Sequence, residues 1–152
     1  MENIQQQIEA FLTEDEWPYE TLEDDIGLHV RYGGENDEWS CYVLVDEEQS
    51  LLVFYSVLDV GVPPAMRNTI AEFIARANFG LILGNFEMDF SDGELRYKTS
   101  IDLTGIDLPK ALIRSLLYTN VVVMDKYLPG IVGVLTDGMT PEAAVTLVEQ
   151  SD

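Results

Sequence analysis

The stretch NFGLILGNFEMDFSDGELRY, residues 78–97, holds two alternating runs of apolar and polar residues on either side of Asp92-Gly93. Asp-Gly favours a two-residue type I′ turn, because both central positions of that turn need a positive φ. Counting outward from such a turn places Met88 opposite Tyr97 and gives the hairpin one apolar face and one charged face. The stretch therefore predicts a β-hairpin that packs on a core. The face turned to the core would carry Phe86, Met88, Phe90, Leu95 and Tyr97.

The segments before this hairpin predict a helix followed by three strands. Ile4, Ile8, Phe11 and Leu12 recur on one helical face, and the helix should end near Thr13. Alternating or continuous apolar runs then predict strands, since side chains of a strand alternate between two faces. The three strand segments are DIGLHVRY, EWSCYVLVD and SLLVFYSVL.

Further helices are predicted on both sides of the hairpin. Pro64 suits the first turn of a helix that Gly80 can close. After the hairpin, a long apolar segment predicts a helix with Pro109 in its first turn. That helix should kink or break near Pro129, because an interior proline removes one backbone hydrogen bond. A short helix with Thr140 as its N-cap would follow.

The resulting order, α-βββ-α-ββ-α(α), predicts a single α+β domain over residues 1–152, with an antiparallel sheet of about five strands and helices packed on it. Residues 51–55 and 81–83 are apolar on both faces of their expected strands, so both faces of the sheet need cover. Three helices do not suffice for that, and we expect a protein partner or a second copy to cover the rest. The candidate partner-binding or dimer surface is Tyr42, Leu44, Leu52 and Phe54.

The charge of the chain is strongly acidic and unevenly placed. Its 28 Asp and Glu against 8 Lys and Arg give a formal net charge of −20, and the first 60 residues hold sixteen of the acids and one base, Arg31. We expect no nucleic-acid binding, because contacts to phosphates rely on clustered Lys and Arg. A basic protein partner, mimicry of nucleic acid towards a basic groove, and simple solubility remain open. The acidic surface considered for these roles is Glu14, Asp15, Glu16, Glu23, Asp24 and Asp25.

The sequence shows no catalytic, cofactor or metal constellation. Cys41 lies within an apolar strand, where a buried and inert thiol is the common outcome. His29 is expected on the solvent face of its strand, far in sequence from Cys41 and without a local catalytic motif. Asp89, Asp92 and Glu94 fit the chemistry of a turn better than the ligand spacing of a calcium loop. We therefore expect no enzymatic activity, no cofactor and no bound metal.

No segment has the composition of a membrane span. The most apolar stretch, residues 111–135, is interrupted by Arg114, Asp125 and Lys126, whereas a spanning helix needs about 18 or more apolar residues in a row. The chain also opens without a basic leader followed by an apolar run. These features predict a cytoplasmic protein without membrane contacts.

The element order, together with RANFGLILGNFEMDFSDGELRYKTSIDL and the later NVVVMDKYLPGI, resembles the YbjN-domain family of bacterial proteins, whose fold is similar to the small type III secretion chaperones. The matching motifs are Asn78 at a helix end, Gly84 at a strand start, the Asp92-Gly93 turn and Tyr127-Leu128-Pro129. The resemblance implies a dimeric α+β protein associated with sensory or stress regulation. By fold analogy it also implies chaperoning of a partner segment, and it brings no catalytic residue with it.

Three functions follow from these features. The first is a non-enzymatic, chaperone-like binding module that takes an extended segment or helix of a protein partner on apolar surface. The second is an acidic mimic or sink for a basic protein. The third, an enzyme, would rest on scattered carboxylates and His29, and the sequence gives no sign that any of them meet in a cleft.

Overall fold

The computed structural model describes residues 2–23 and 26–150. Alternating patterns form six strands in these residues, and apolar stripes at helical spacing form four α-helices. A short 3-10 turn at Pro64–Met66 leads into the second helix. In chain order the elements are α1 (Ile4–Glu14), β1 (Tyr19–Thr21), β2 (Gly27–Gly33), β3 (Glu38–Asp46), β4 (Leu51–Val57), α2 (Arg67–Asn78), β5 (Asn85–Met88), β6 (Leu95–Asp102), α3 (Lys110–Thr136) and α4 (Pro141–Glu149).

The strands form one antiparallel sheet in the order β1-β2-β3-β4-β6-β5. Successive side chains of a strand point to opposite faces, and one face of this sheet carries the core. Residues of all four helices join the core-facing strand residues in a single hydrophobic cluster. The predicted α+β class, with helices packed on an antiparallel sheet, is confirmed. The core-facing strand residues include Leu28, Val30, Trp39, Cys41, Val43, Leu52, Phe54, Phe86, Leu95 and Tyr97.

The sheet has one strand more than the sequence predicted. The additional strand, β1, pairs with β2 over three residues, from Tyr19 opposite Val30 to Thr21 opposite Leu28. Its sequence, YET, is too short to show an alternating pattern, so only the pairing reveals it.

The β5–β6 hairpin keeps the predicted faces but not the predicted register. Met88 pairs with Leu95 rather than with Tyr97, so the connection is six residues long and the two-residue turn is wrong. The Asp89 carboxylate accepts hydrogen bonds from both the backbone N–H and the hydroxyl of Ser91, which starts a wider turn. Gly93 then takes a φ of 81°. Because the register slips by two residues, the side chains within β5 and β6 stay on their predicted faces. Phe90, which was expected in the core, is exposed in the turn.

The segment between α2 and β5 is a loop, so the prediction of a strand at residues 81–83 is wrong. The Asn78 side chain ends α2 and accepts a hydrogen bond from the Phe86 backbone N–H at 2.7 Å. The same amide donates to the Phe86 backbone oxygen at 3.0 Å. Asn78 therefore bonds to both backbone groups of Phe86 in the edge strand, as another strand would. The loop leaves Phe79 and Ile82 89% and 94% exposed.

Helix α3 continues to Thr136 with Pro129 inside it, so a break at this proline does not occur. Proline lacks the N–H that would bond to the backbone oxygen of Asp125. The side-chain amide of Asn36 donates to that oxygen instead, at 2.9 Å. The Asp125 carboxylate in turn accepts the backbone N–H groups of Glu35 and Asn36, each at 3.0 Å. The β2–β3 turn thus supplies the hydrogen bond that Pro129 removes, and we call Glu35, Asn36, Asp125 and Pro129 the proline clamp.

Candidate functional site

The face of the sheet opposite the helices carries a cluster of aromatic and aliphatic side chains. Strand pairing places Tyr42 beside Tyr55 and Leu44 beside Val53, on neighbouring strands β3 and β4. Val57 extends the same face of β4 by one step. These side chains are half-buried by their neighbours on that face. We call Tyr42, Leu44, Val53, Tyr55 and Val57 the open face.

Ion pairs flank the open face on both sides. On β2, the Arg31 guanidinium donates two hydrogen bonds to Asp59, at 3.0 and 2.9 Å, and these bonds raise the pKa of Arg31 above its usual value. On β6, Arg96 bonds to Glu87 at 2.6 Å, and its guanidinium carbon lies 4.0 Å from the ring centroid of Tyr55. The cations beside the open face are thus engaged by carboxylates, and a cation–π contact fixes the Tyr55 ring.

Carboxylates form an acidic rim on the same side of the sheet. Asp46 and Asp102 lie on either side of Leu51 in the strand pairing, at one end of β3, β4 and β6. Glu20 lies on the edge strand, with its carboxylate 3.0 Å from Nδ1 of His29. Glu20, Asp46, Asp59 and Asp102 are hereafter the acidic rim. An apolar centre that is bordered by ion pairs and by these carboxylates, two of them at one end of β3, β4 and β6, suits a ligand that is both apolar and cationic.

The candidate surface predicted from sequence is divided by the sheet. Tyr42 and Leu44 lie on the open face, as expected for a binding surface. Leu52 and Phe54 are fully buried in the core on the opposite face, so their placement on a surface is wrong. Phe54 pairs with Val43 and not with Tyr42.

Sequence reasoning missed Val53, Tyr55 and Val57, because β4 is apolar on both faces and its pattern does not say which face is covered. The one available signal was Ser56. A hydroxyl inside an apolar run marks the face where a helix supplies a polar partner, and Asn120 of α3 is that partner.

The acidic surface proposed from sequence is partly neutralised. Glu14 forms an ion pair with Lys110. Asp15 accepts hydrogen bonds from Arg114 at 3.3 Å and from the Tyr118 hydroxyl at 2.9 Å. Glu16 and Glu23 are also among the described residues, and both are exposed, whereas Asp24 and Asp25 lie outside them. The cluster is therefore less available to a basic partner than its sequence suggested.

The thiol and the buried polar side chains have structural roles. Burial raises the pKa of Cys41 to about 12, so its thiol stays protonated at neutral pH. In the core, Ser56 donates to the Asn120 side chain at 2.6 Å and accepts from the Trp39 indole at 2.8 Å. Asn120 donates onward to the Phe54 backbone oxygen at 2.9 Å. This network links α3 to the sheet, and its hydrogen-bonding groups are engaged in that link.

The His29 ring lies between a carboxylate and a hydroxyl. Its Nδ1 lies 3.0 Å from Glu20 Oε1 and its Nε2 lies 2.9 Å from Ser40 Oγ. Across residues 2–23 and 26–150, no group of three or more His, Cys, Asp or Glu side chains is arranged to hold a metal ion. In the same part of the chain, no helix combines the length and the apolar character that a membrane crossing requires.

Comparison with known proteins gives matches at the level of family and fold. The family described as "Putative bacterial sensory transduction regulator", YbjN, matches residues 5–132. The crystal structure of YbjN from E. coli is 10% identical, with a TM-score of 0.60 over 79% of this chain and 84% of that chain. A structure of the ExsC-ExsE complex is 10% identical, with a TM-score of 0.49 over 83% of this chain and 94% of that chain. No curated protein matches this sequence. The family match spans most of the sequence, and the chain therefore belongs to the YbjN family.

Proposed function

We propose that this chain is a non-enzymatic protein-binding module in bacterial sensory regulation, and that it holds an extended segment of a protein partner on the open face. The observation that carries the proposal is the open face itself. Tyr42, Leu44, Val53, Tyr55 and Val57 form a continuous apolar surface on the side of the sheet away from the helical core. Contiguous apolar surface of this kind, rimmed by polar residues, is typical of protein-binding sites.

The charges around the open face favour a partner segment that carries basic side chains. Arg31, Arg96 and Lys98 are already bonded to carboxylates of the chain. The acidic rim adds negative charge to a chain whose net charge is −20. A partner segment with alternating apolar and basic side chains would match both features, because its apolar side chains would meet the open face and its Lys or Arg would meet the rim.

A second copy of this chain is a poorer occupant of the open face. Two copies meeting there would bring together two acidic rims and two net charges of −20. Like charges that face each other across an interface oppose association. The acidic sink is also less well supported, because Glu14 and Asp15 are already paired with Lys110 and Arg114.

Photo-crosslinking in the native cells tests the proposal. Tyr42 would be replaced by p-benzoylphenylalanine, and the same replacement at Glu142, which is exposed on α4, would report on contacts of the helical layer. We expect a discrete crosslinked partner from position 42 that is absent from position 142. Leu44→Gln should abolish the crosslink, whereas Val122→Gln, at an exposed site on α3, should preserve it.

The alternatives give distinct results in this experiment. A crosslinked dimer of the chain from position 42 would mean that a second copy covers the open face, and the proposal would fall. Equal crosslinking from positions 42 and 142 would also overturn it. Loss of the crosslink in Leu44→Gln counts only if its urea midpoint matches that of the unsubstituted protein.

A further inference from the structure

We propose a second contact site for the partner segment, a cleft at the end of the sheet that takes a bulky apolar side chain flanked by Lys or Arg. This inference rests on the proposed function and specifies which side chains the partner must carry. The cleft lies between the last residues around β4 and the C-terminal half of α3, and we call it the Trp39 cleft. Its apolar lining includes Trp39, Leu58, Val60, Leu128, Val132 and Leu135.

The size and the lining of the Trp39 cleft suit an apolar side chain. It encloses about 400 Å³, within the range of roughly 300–1,000 Å³ that is usual for ligand sites. The indole of Trp39 is held in its floor by a hydrogen bond to Ser56 at 2.8 Å. Val60 and Val132 at its mouth are 74% and 45% exposed. Folding leaves a substantial part of both valines in water, so an apolar ligand would bury surface that the fold does not.

The mouth of the Trp39 cleft is acidic. Asp37, Glu38 and Asp59 line it. The Arg31 guanidinium bonds to two of them, Glu38 and Asp59, so the three carboxylates outnumber the cation that is paired with them. An apolar group that enters the cleft therefore gains from carrying a positive charge next to it. A neutral or anionic apolar group would leave the excess negative charge unmatched.

The Trp39 cleft is continuous with the open face. Leu58, Asp59 and Gly61 line the cleft, and they also line a groove of about 370 Å³ that contains Tyr42 and Val57 of the open face. A segment lying along the open face would cross residues 58–61 and reach the cleft without leaving the surface. One partner segment can therefore occupy both sites.

A matched pair of small probes tests the cleft without the partner. 3-Phenylpropylamine, a cation at neutral pH, and 3-phenylpropionate, an anion, share one apolar body and differ in charge. Each would be titrated into isotope-labelled protein and followed by NMR. We expect saturable shifts of the Trp39 indole N–H and the Val132 methyls with the amine. Its affinity should exceed that of the anion by about fivefold or more at low salt, because of the carboxylates at the mouth.

Two variants of helix α3 make the titration specific. Val132→Gln should weaken the amine by about threefold or more, since it removes apolar surface at the mouth of the cleft. Val122 lies outside the cleft on the same helix and is 60% exposed, so Val122→Gln should leave the affinity unchanged. Equal binding of both probes, absence of saturable shifts, or equal weakening by the two variants would each overturn the inference.

Crosslinking separates a failure of this inference from a failure of the proposed function. With p-benzoylphenylalanine at Val60, we expect the same partner that position 42 captures. A partner captured from position 42 but not from position 60 would refute the Trp39 cleft as a contact site and leave the proposed function standing. No partner from position 42, together with specific binding of the amine, would refute the proposed function and leave the Trp39 cleft as a binding site for apolar cations only.

Discussion

The proline clamp makes a quantitative prediction about how a helix tolerates an interior proline. Asn36→Ala removes the amide that bonds to the Asp125 backbone oxygen at 2.9 Å, and Pro129 leaves that oxygen without a helical donor. An intramolecular hydrogen bond contributes about 0.5–1.5 kcal/mol net. We therefore expect Asn36→Ala to lower the free energy of unfolding by about 1 kcal/mol. In a Pro129→Ala background the helix supplies its own N–H, and the same substitution should cost well under half as much.

A double-mutant cycle measures this coupling. The unsubstituted chain, both single variants and the double variant would be unfolded in urea and followed by far-UV circular dichroism. The effect of Pro129→Ala on the unfolded chain cancels in the cycle, so the coupling reports on the folded contact. We expect an interaction energy of about 0.5–1 kcal/mol. If Asn36→Ala costs the same with proline and with alanine at position 129, the amide does not replace the missing helical bond and the reasoning fails.

Three further predictions concern the core, the sheet edge and the thiol. Leu52→Ala should lower the free energy of unfolding by about 2–5 kcal/mol because it opens a cavity, whereas Leu44→Ala should lower it by less than about 1 kcal/mol. Both variants would be measured by urea unfolding, and the reverse order of the two effects would contradict the assigned faces. Asn78→Ala should lower the free energy of unfolding by about 1–3 kcal/mol because it leaves the Phe86 backbone groups without a partner. Asn78→Asp keeps the acceptor alone, so its stability in the same assay should lie between those of the unsubstituted protein and Asn78→Ala. The Cys41 thiol should react with Ellman's reagent in the native protein far more slowly than in urea, and rapid native labelling at neutral pH would show that it is neither buried nor held protonated.

The fold was predictable from sequence wherever one face of an element is apolar and the other polar. The faces of β2, β5 and β6 followed from alternation, and α2 ends close to the predicted Gly80, whereas Pro64 begins the 3-10 turn before α2 and not α2 itself. The register of the pairing between β5 and β6 did not follow from the sequence. The Asp-Gly signal sets a two-residue turn only if nothing competes, and here the Asp89 carboxylate bonds to Ser91 and widens the turn. The loop at residues 79–84 was missed because a side chain, and not a strand, pairs with Phe86.

The candidate site was only partly predictable from sequence. The two-residue period of β3 sets Tyr42 and Leu44 opposite Cys41 and Val43, but both sets are apolar, so the pattern does not say which set lies on the open face. Leu52 and Phe54 belong to a strand that is apolar on both faces, so a choice between the faces needs the pairing with β3. The bonds of Asn36 to Asp125 span about ninety positions of the chain. Contacts at such sequence separation leave no local pattern to read.

The Asn78 amide also affects how the protein behaves in a crowded solution. An edge strand with free N–H and C=O groups can recruit strands of other molecules, and this is one route to aggregation. At β5, Asn78 occupies the backbone groups of Phe86, so an incoming strand would first have to displace it. This protection lies next to Phe79 and Ile82, the most exposed large apolar side chains among the described residues. The chain thus exposes an apolar loop beside a sheet edge at which the backbone groups of Phe86 are already bonded.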